Sequence, residues 1–440
     1  MCIRDRRLPE VTRTYFNDFS FRRLNNLRTE FHCFPSEDGI RDLDFGDPKI
    51  FTRKSMILAA VQKTTRSILR PVVYFGLLIG IVLFSTDSAA AQSQPNITIK
   101  VSKKKKVYVG KPISWDGEEL LMLRRDGRLS FLPVKSKEDY SKISNGFRPY
   151  TANEVKSKLR KEFGSQYQIS ATQNFVVVHP HGDYNVWAMP FQRLYERFKL
   201  YFSSRGFSLQ QPQFPMVAVV LKSRADFDRF LRKYHKYDSQ ILGYYSRVSN
   251  RIITYDQSEG KGIRGSGWFF NADTIIHEAT HQTAFNTGVH NRYAVNSRWI
   301  SEGLAMMFEA PGVNNSMRYH RQSDRINRDR LIGLKQYLKQ GQLEGTLTKI
   351  VLRDDIFRSD PQKAYSLAWG LTFFLSEKMP AKYQRFLRSD AKRSEFKDHT
   401  ARNRAAAFAK AFGSDFKSLE KQMISFFEKL KVPPKKQVKF

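Results

Sequence analysis

The sequence predicts an α+β protein, with a small N-terminal β module ahead of a mixed region whose C-terminal half is mostly helical. Three observations predict it. Short alternating segments divided by Asp-Gly turns fill residues 92–150, strand-type apolar runs alternate with helical patterns from 151 to about 255, and beyond 270 the pattern stays helical to about Leu430. At 440 residues the chain is long enough for two domains. Hydrophobic residues make up 41% and aromatics 13%, which excludes a wholly disordered chain. Only two cysteines occur, Cys2 and Cys33, so a disulfide-stapled scaffold and a cysteine-built zinc finger are excluded as well. Lys and Arg number 75 against 42 Asp and Glu, a formal charge of +33 that favours anionic partners.

The long apolar run Val72 to Phe84 follows Lys63, Arg66 and Arg70 and precedes Ala89-Ala90-Ala91. A basic flank, an apolar stretch of this length and a small-residue cleavage site are the layout of a secretory signal peptide. It reads as residues 56–91, opening at Met56 and cleaved after Ala91, with an uncleaved anchor as the alternative. Residues 1–55 then read as an upstream extension from a mis-called start. A membrane span needs about 20 apolar residues, so no stable span is expected once the signal is removed. The expected location is outside the cytoplasm: periplasm, envelope or medium. Both cysteines lie in the extension, whereas most of the basic charge lies after the signal.

In the β module, residues 92–150, Ile97 to Val101 alternates with period two, and Val107-Tyr108-Val109 follows the Lys103–Lys106 run. Asp116-Gly117 and Asp126-Gly127 separate Ile113 to Trp115, Leu120 to Leu123 and Leu129 to Leu132 as hairpins. The lysine run reads as a solvated hairpin end or a contact for an acidic polymer. Within 151–430, helices are expected at Asn153 to Phe163, Asn185 to Ser204 and Ala225 to Tyr234. Strands are expected at Phe175 to Val178, Met216 to Leu221 and Ile252 to Tyr255. Residues 431–440 form a basic tail.

Chemistry concentrates in Asn271-Ala-Asp-Thr-Ile-Ile-His277-Glu278-Ala-Thr-His281-Gln-Thr-Ala-Phe-Asn-Thr-Gly288. Asp273 is placed to cap a helix that Gly288 ends. Two histidines four residues apart share one helix face, about 6 Å apart in rise, and can converge on one Zn2+. Glu278 projects about 100° round the helix and can reach a water beside the metal. A catalytic zinc needs a third protein ligand and an open position. Glu302, in Trp299-Ile-Ser-Glu302-Gly-Leu-Ala-Met-Met-Phe-Glu309, is the candidate, on a second helix that stops before Pro311. His290 lies past the helix-ending glycine. His179 and His181, in His-Pro-His-Gly, form another conceivable metal pair or an ordinary strand-ending turn.

HEATH followed by a downstream Glu in a Ser-Glu-Gly-x-Ala setting resembles the gluzincin zinc metallopeptidases. The fuller strings HEATHQTAFNTG and WISEGLAMMFE are similar to an exported bacterial family of unknown function, over roughly residues 150–430. The resemblance implies a zincin-like metallopeptidase domain with His277, His281 and Glu302 as zinc ligands and Glu278 as general base. It further implies Glu309 as an acidic residue orienting a ligand histidine, and Tyr365 as the hydrogen-bond donor to the oxyanion. Asp360-Pro361 starts the helix that would carry Tyr365. Position 284 is Ala and 287 is Thr, so the metzincin continuation is absent.

The expected activity is therefore hydrolysis of peptide bonds in a peptide or protein substrate, with Zn2+ as cofactor. Substrate would lie along an exposed strand, for which Arg251 to Tyr255 is the candidate. A non-catalytic protein with structural zinc that recognises anionic wall polymers is the alternative, and a zinc hydrolase of a non-peptide amide is a third reading. Export disfavours nucleic acid as a partner.

Overall fold

The computed structural model of the protein describes residues 96–434 apart from 104–105, 183, 235–240, 259–267 and 395–398. The segments expected to be an upstream extension and a signal peptide, and the end of the expected basic tail, lie outside the described residues. Among those described, no helix is long and apolar enough to cross a membrane. The fold is α+β, with an N-terminal β region, a second sheet and a helical C-terminal half.

The β region has five strands: β1 (Thr98–Lys103), β2 (Lys106–Trp115), β3 (Glu119–Arg124), β4 (Leu129–Pro133) and β5 (Tyr140–Ser144). They pair antiparallel in the order β4-β3-β2-β1-β5. Asp-Gly turns close β2–β3 and β3–β4, with Gly117 at φ +100 and Gly127 at φ +83, a backbone region that favours glycine. The segments expected at Val107 to Val109 and Ile113 to Trp115 are one strand. A register shift between Pro112 and Ser114 lets it bend without breaking. One face of the sheet encloses Ile99, Val101, Leu120, Met122 and Leu132. On the other, Ile113, Leu121, Leu123 and Leu129 pack on Phe214 and Val248 of the following region.

That region begins with α1 (Ala152–Phe163), opened by a Thr151/Glu154 capping box. β6 (Gln168–Ala171) and β7 (Phe175–His179) follow, then α2 (Tyr184–Trp187) and α3 (Met189–Ser203), β8 (Met216–Leu221), α4 (Arg224–Tyr234), β9 (Gly243–Ser246) and β10 (Arg251–Tyr255). The single helix expected from Asn185 to Ser204 is divided, because Pro190 cannot continue α2 and instead opens α3. The second sheet has the order β6-β7-β8-β10-β9, with β7, β8 and β10 parallel. Its strands are apolar on both faces because helices cover both. Val176, Val178, Val217, Val219 and Ile253 meet α1 and α4 through Leu159 and Phe227. Phe175, Val177, Ala218 and Ile252 meet the helical half.

Arg251 to Tyr255 is not an exposed strand. β10 lies inside the sheet, with β8 on one side and β9 on the other, so its backbone groups are already paired. The end strand on this side is β9.

The helical half comprises α5 (Trp268–Asn286), α6 (Arg298–Phe308), α7 (Pro311–Asn314), α8 (Arg328–Lys339), α9 (Thr346–Leu352), α10 (Ile356–Ser359), α11 (Pro361–Lys378), α12 (Pro380–Ala391), α13 (Ala401–Phe412) and α14 (Phe416–Lys429). α5 is sandwiched between sheet and bundle, and among 271–285 only Asp273 is exposed. Asp273 does not cap it, since the helix starts five residues earlier at Trp268. Asn271 instead ties the first turns to the end of β10, accepting from the Gln257 N–H at 2.8 Å and donating to Asp256 at 3.1 Å. Arg292, just past α5, is buried and donates to the carbonyls of Gly127, Arg247 and Val248, joining the two sheets.

Candidate metal centre

α5 is held in register with the sheet by side chains of its own motif. Gln282 donates to the carbonyls of Val217 (3.1 Å) and Asn250 (2.7 Å). Asn286 and Asn250 exchange amide hydrogen bonds at 2.8 and 2.9 Å, and Asn250 takes φ +57 at the tip of the β9–β10 hairpin. α5 therefore has little freedom to slide. Gly288, at φ +80, ends it as expected.

α6 is fixed from its other side. Its first N–H groups receive no side-chain cap from Ser297; the Arg298 N–H is accepted by Asp354 at 3.0 Å, and Asp354 is held by Arg404. Gly303 faces α11 so closely that an added Cβ would lie 2.1 Å from Thr372 Oγ1 and 2.5 Å from the Ala368 carbonyl. The glycine of the Ser-Glu-Gly motif thus lets α6 seat against α11, and Glu302 beside it is carried by that seating.

The result is a convergence of three ligand-type atoms. His277 Nε2 and His281 Nε2 are 3.2 Å apart, and Glu302 Oε2 lies 3.3 Å from the first and 3.6 Å from the second. His277 is 1% exposed, His281 and Glu302 6% each. For metal bonds of about 2.0–2.1 Å, the edges of a tetrahedron are about 3.3 Å, so the three atoms fit one face of a zinc site. Among the described residues this is the one such cluster of His, Cys, Asp or Glu.

The protonation pattern also fits. Glu309 Oε1 accepts from His277 Nδ1 at 2.7 Å; a carboxylate can only accept, so the proton sits on Nδ1 and Nε2 offers its lone pair to the cluster. Burial holds the His281 imidazole below its ordinary value, which keeps it neutral. Desolvating ionisable groups costs several kcal/mol each, more than a fold retains for packing alone.

Glu278 follows His277 on α5 and is fully buried. Tyr365 is also buried, in the second turn of α11, whose start is capped by Asp360 as expected. Its ring meets Phe357 edge-on at 5.5 Å, and the Arg330 guanidinium lies 5.4 Å from its centroid. His290 packs on Phe285, and burial pushes it to about 3. His179 and His181 do not form a metal pair. His179 Nδ1 donates to the Pro180 carbonyl at 2.7 Å and Nε2 accepts from the Ser170 hydroxyl at 2.8 Å, while His181 is exposed and donates to the Ser165 carbonyl. The turn reading holds there.

Two positioning features escaped the sequence reading: the Gln282–Asn286–Asn250 anchors, and Asn327, which donates to the second Glu309 oxygen at 2.7 Å. Gln282 and Asn286 lie inside the motif, but their partners are far along the chain, on β8 and at the tip of the β9–β10 hairpin. Asn327 carries no local signal.

A family model described as a protein of unknown function (DUF1570) matches residues 271–398, a span that contains His277, Glu278, His281, Glu302, Glu309, Asn327 and Tyr365. No curated protein matches the chain. Among solved structures, a mutant M1 zinc metallopeptidase from Deinococcus radiodurans is similar at 12% identity and a TM-score of 0.32, covering 61% of this chain and 53% of that one. A two-domain M1 zinc metallopeptidase mutant bound to L-arginine is similar at 11% identity and 0.32, covering 61% and 52%. The chain spans about half the length of these structures.

Proposed function

We propose that this chain is an exported zinc-dependent peptidase. One observation carries the reading: two imidazole nitrogens and a carboxylate oxygen converge at zinc-site spacing, with a buried glutamate next in sequence to one of the histidines. His277, His281 and Glu302 would hold the ion. When bound there, zinc supplies Lewis-acid polarisation of a carbonyl and makes water a competent nucleophile near neutral pH.

The chain's own residues do the rest. Glu278 takes the proton of the attacking water and returns it to the departing amine. Tyr365 donates its hydroxyl to the developing oxyanion. A structural zinc is closed by four protein ligands and has no use for a base beside it, whereas three ligands leave a position for substrate. An extended peptide would lie along β9, the end strand of the second sheet among the described residues.

The test is an unbiased peptide-library digest with the zinc-loaded and the chelated chain, run beside Glu278→Gln. The variant is expected to keep about one zinc per chain and lose turnover by roughly 10²–10⁴-fold. Cleavage as fast as wild type on a responsive substrate would remove Glu278 as the base. Activity confined to non-peptide amides would move the reaction class while leaving the site in place.

A further inference from the structure

Asn327 immediately precedes α8 and is 8% exposed. Its side chain makes three hydrogen bonds. Nδ2 donates to Glu309 Oε2 at 2.7 Å and to the Met306 carbonyl at 3.1 Å, and Oδ1 accepts from the Arg330 N–H at 3.3 Å. The amide has only one workable orientation, because turning it over would press Oδ1 against a carboxylate and a carbonyl, both acceptors. Glu309 Oε1 in turn accepts from His277 Nδ1 at 2.7 Å. An unbroken relay of two short bonds therefore runs from the start of α8, through the residue that ends α6, to the histidine on α5.

We infer that Asn327 is a positioning residue for metal capture, acting through Glu309 on His277. The inference rests on the proposed zinc reading of the cluster and extends it beyond the residues in the motif. The Glu309 side chain is 19% exposed and stands at the end of its helix, where a long side chain has several accessible rotamers. Asn327 takes one carboxylate oxygen out of that freedom, which leaves the other facing His277. The histidine ring is then locked with Nε2 bare and aimed at the cluster. Outer partners of this kind set ring orientation and tautomer before the metal arrives, and their removal costs about 10–100-fold in metal affinity.

A simpler role is open to Asn327, since its Oδ1 caps α8. Capping needs only an acceptor, and Asp or Ser caps as well as Asn. Neither can donate two hydrogen bonds from the Nδ2 position. The cap and the relay are therefore separable by mutation.

The experiment is competition for zinc against a chromogenic chelator, using the full chain as wild type, Asn327→Asp, Asn327→Ser, Glu309→Ala and the double variant Glu309→Ala/Asn327→Asp. Asn327→Asp keeps the cap and is expected to weaken zinc binding about 10–100-fold. Asn327→Ser, which adds no charge, is expected to weaken it about 10-fold. With Glu309 already replaced, Asn327→Asp is expected to change affinity less than about threefold, because its route to His277 is gone. Wild-type affinity in both Asn327 variants would overturn the inference. So would a loss from Asn327→Asp as large in the Glu309→Ala background as in the wild type, which would show that its effect does not pass through Glu309. A wild-type chain that takes up no zinc would instead remove the metal reading of the cluster, and the positioning role with it.

Discussion

Two histidine pairs in this protein show what separates a candidate metal centre from ordinary packing. His277 and His281 are four residues apart on a helix, while His179 and His181 are two apart where a strand ends. Both His179 and His277 are buried, so burial does not separate them. His179 has both ring nitrogens engaged by neutral groups, the Ser170 hydroxyl and the Pro180 carbonyl. His277 has one nitrogen fixed by a carboxylate and the other directed at His281 and Glu302. One ring is finished by its surroundings. The other is prepared by them and left facing like-minded groups, which is what a cation requires.

The largest expected effect tests that contrast directly. His277→Ala or His281→Ala should reduce bound zinc from about one per chain to near none by metal analysis. Zinc at 1,000 times its dissociation constant stabilises the wild type by about 4 kcal/mol, and that increment should vanish from the unfolding curve of either variant. His179→Ala should keep its full metal content, and loss of zinc there would break the comparison.

Tyr365 asks to which class it belongs. As an oxyanion donor, Tyr365→Phe should lower turnover about 10²–10³-fold at unchanged zinc content. Turnover equal to wild type would return it to the core, beside Phe357 and Arg330. Gly303→Ala tests whether the third ligand depends on packing. The added methyl collides with Thr372 and Ala368, so stability should fall by about 1–3 kcal/mol in urea denaturation, with weaker zinc binding alongside. His179→Ala should cost about 1–2 kcal/mol through the lost Ser170 and Pro180 bonds, with no change in zinc affinity. The smallest effect belongs to exposed His181, where Ala should stay within about 0.5 kcal/mol of wild type.

What could be read in the sequence was what depends on neighbours along the chain. Four-residue spacing on one helix brought His277 and His281 together, and Gly288 and Pro311 marked the ends of the two helices that matter. The Asp-Gly turns gave the hairpins of the first sheet. Errors arose where distant residues decide. β10 looks like any apolar strand, and its interior position comes from β8 and β9 pairing on either side of it. Asp273 has the chemistry of a cap, yet Asn271 reaches Asp256 and Gln257 and the helix runs on past it. Asn327 is one asparagine between Ile326 and Arg328; only the return of the chain after α7 sets it against Glu309.

The seam between the two sheets has a property that follows from Arg292. Its guanidinium meets three carbonyl dipoles, which neither titrate nor trade counterions with the medium. Arg128 and Arg251 instead meet the carboxylate of Glu162, contacts between full charges that salt screens. Concentrated salt would therefore weaken those ion pairs while the Arg292 tie between the two hairpin tips stays made.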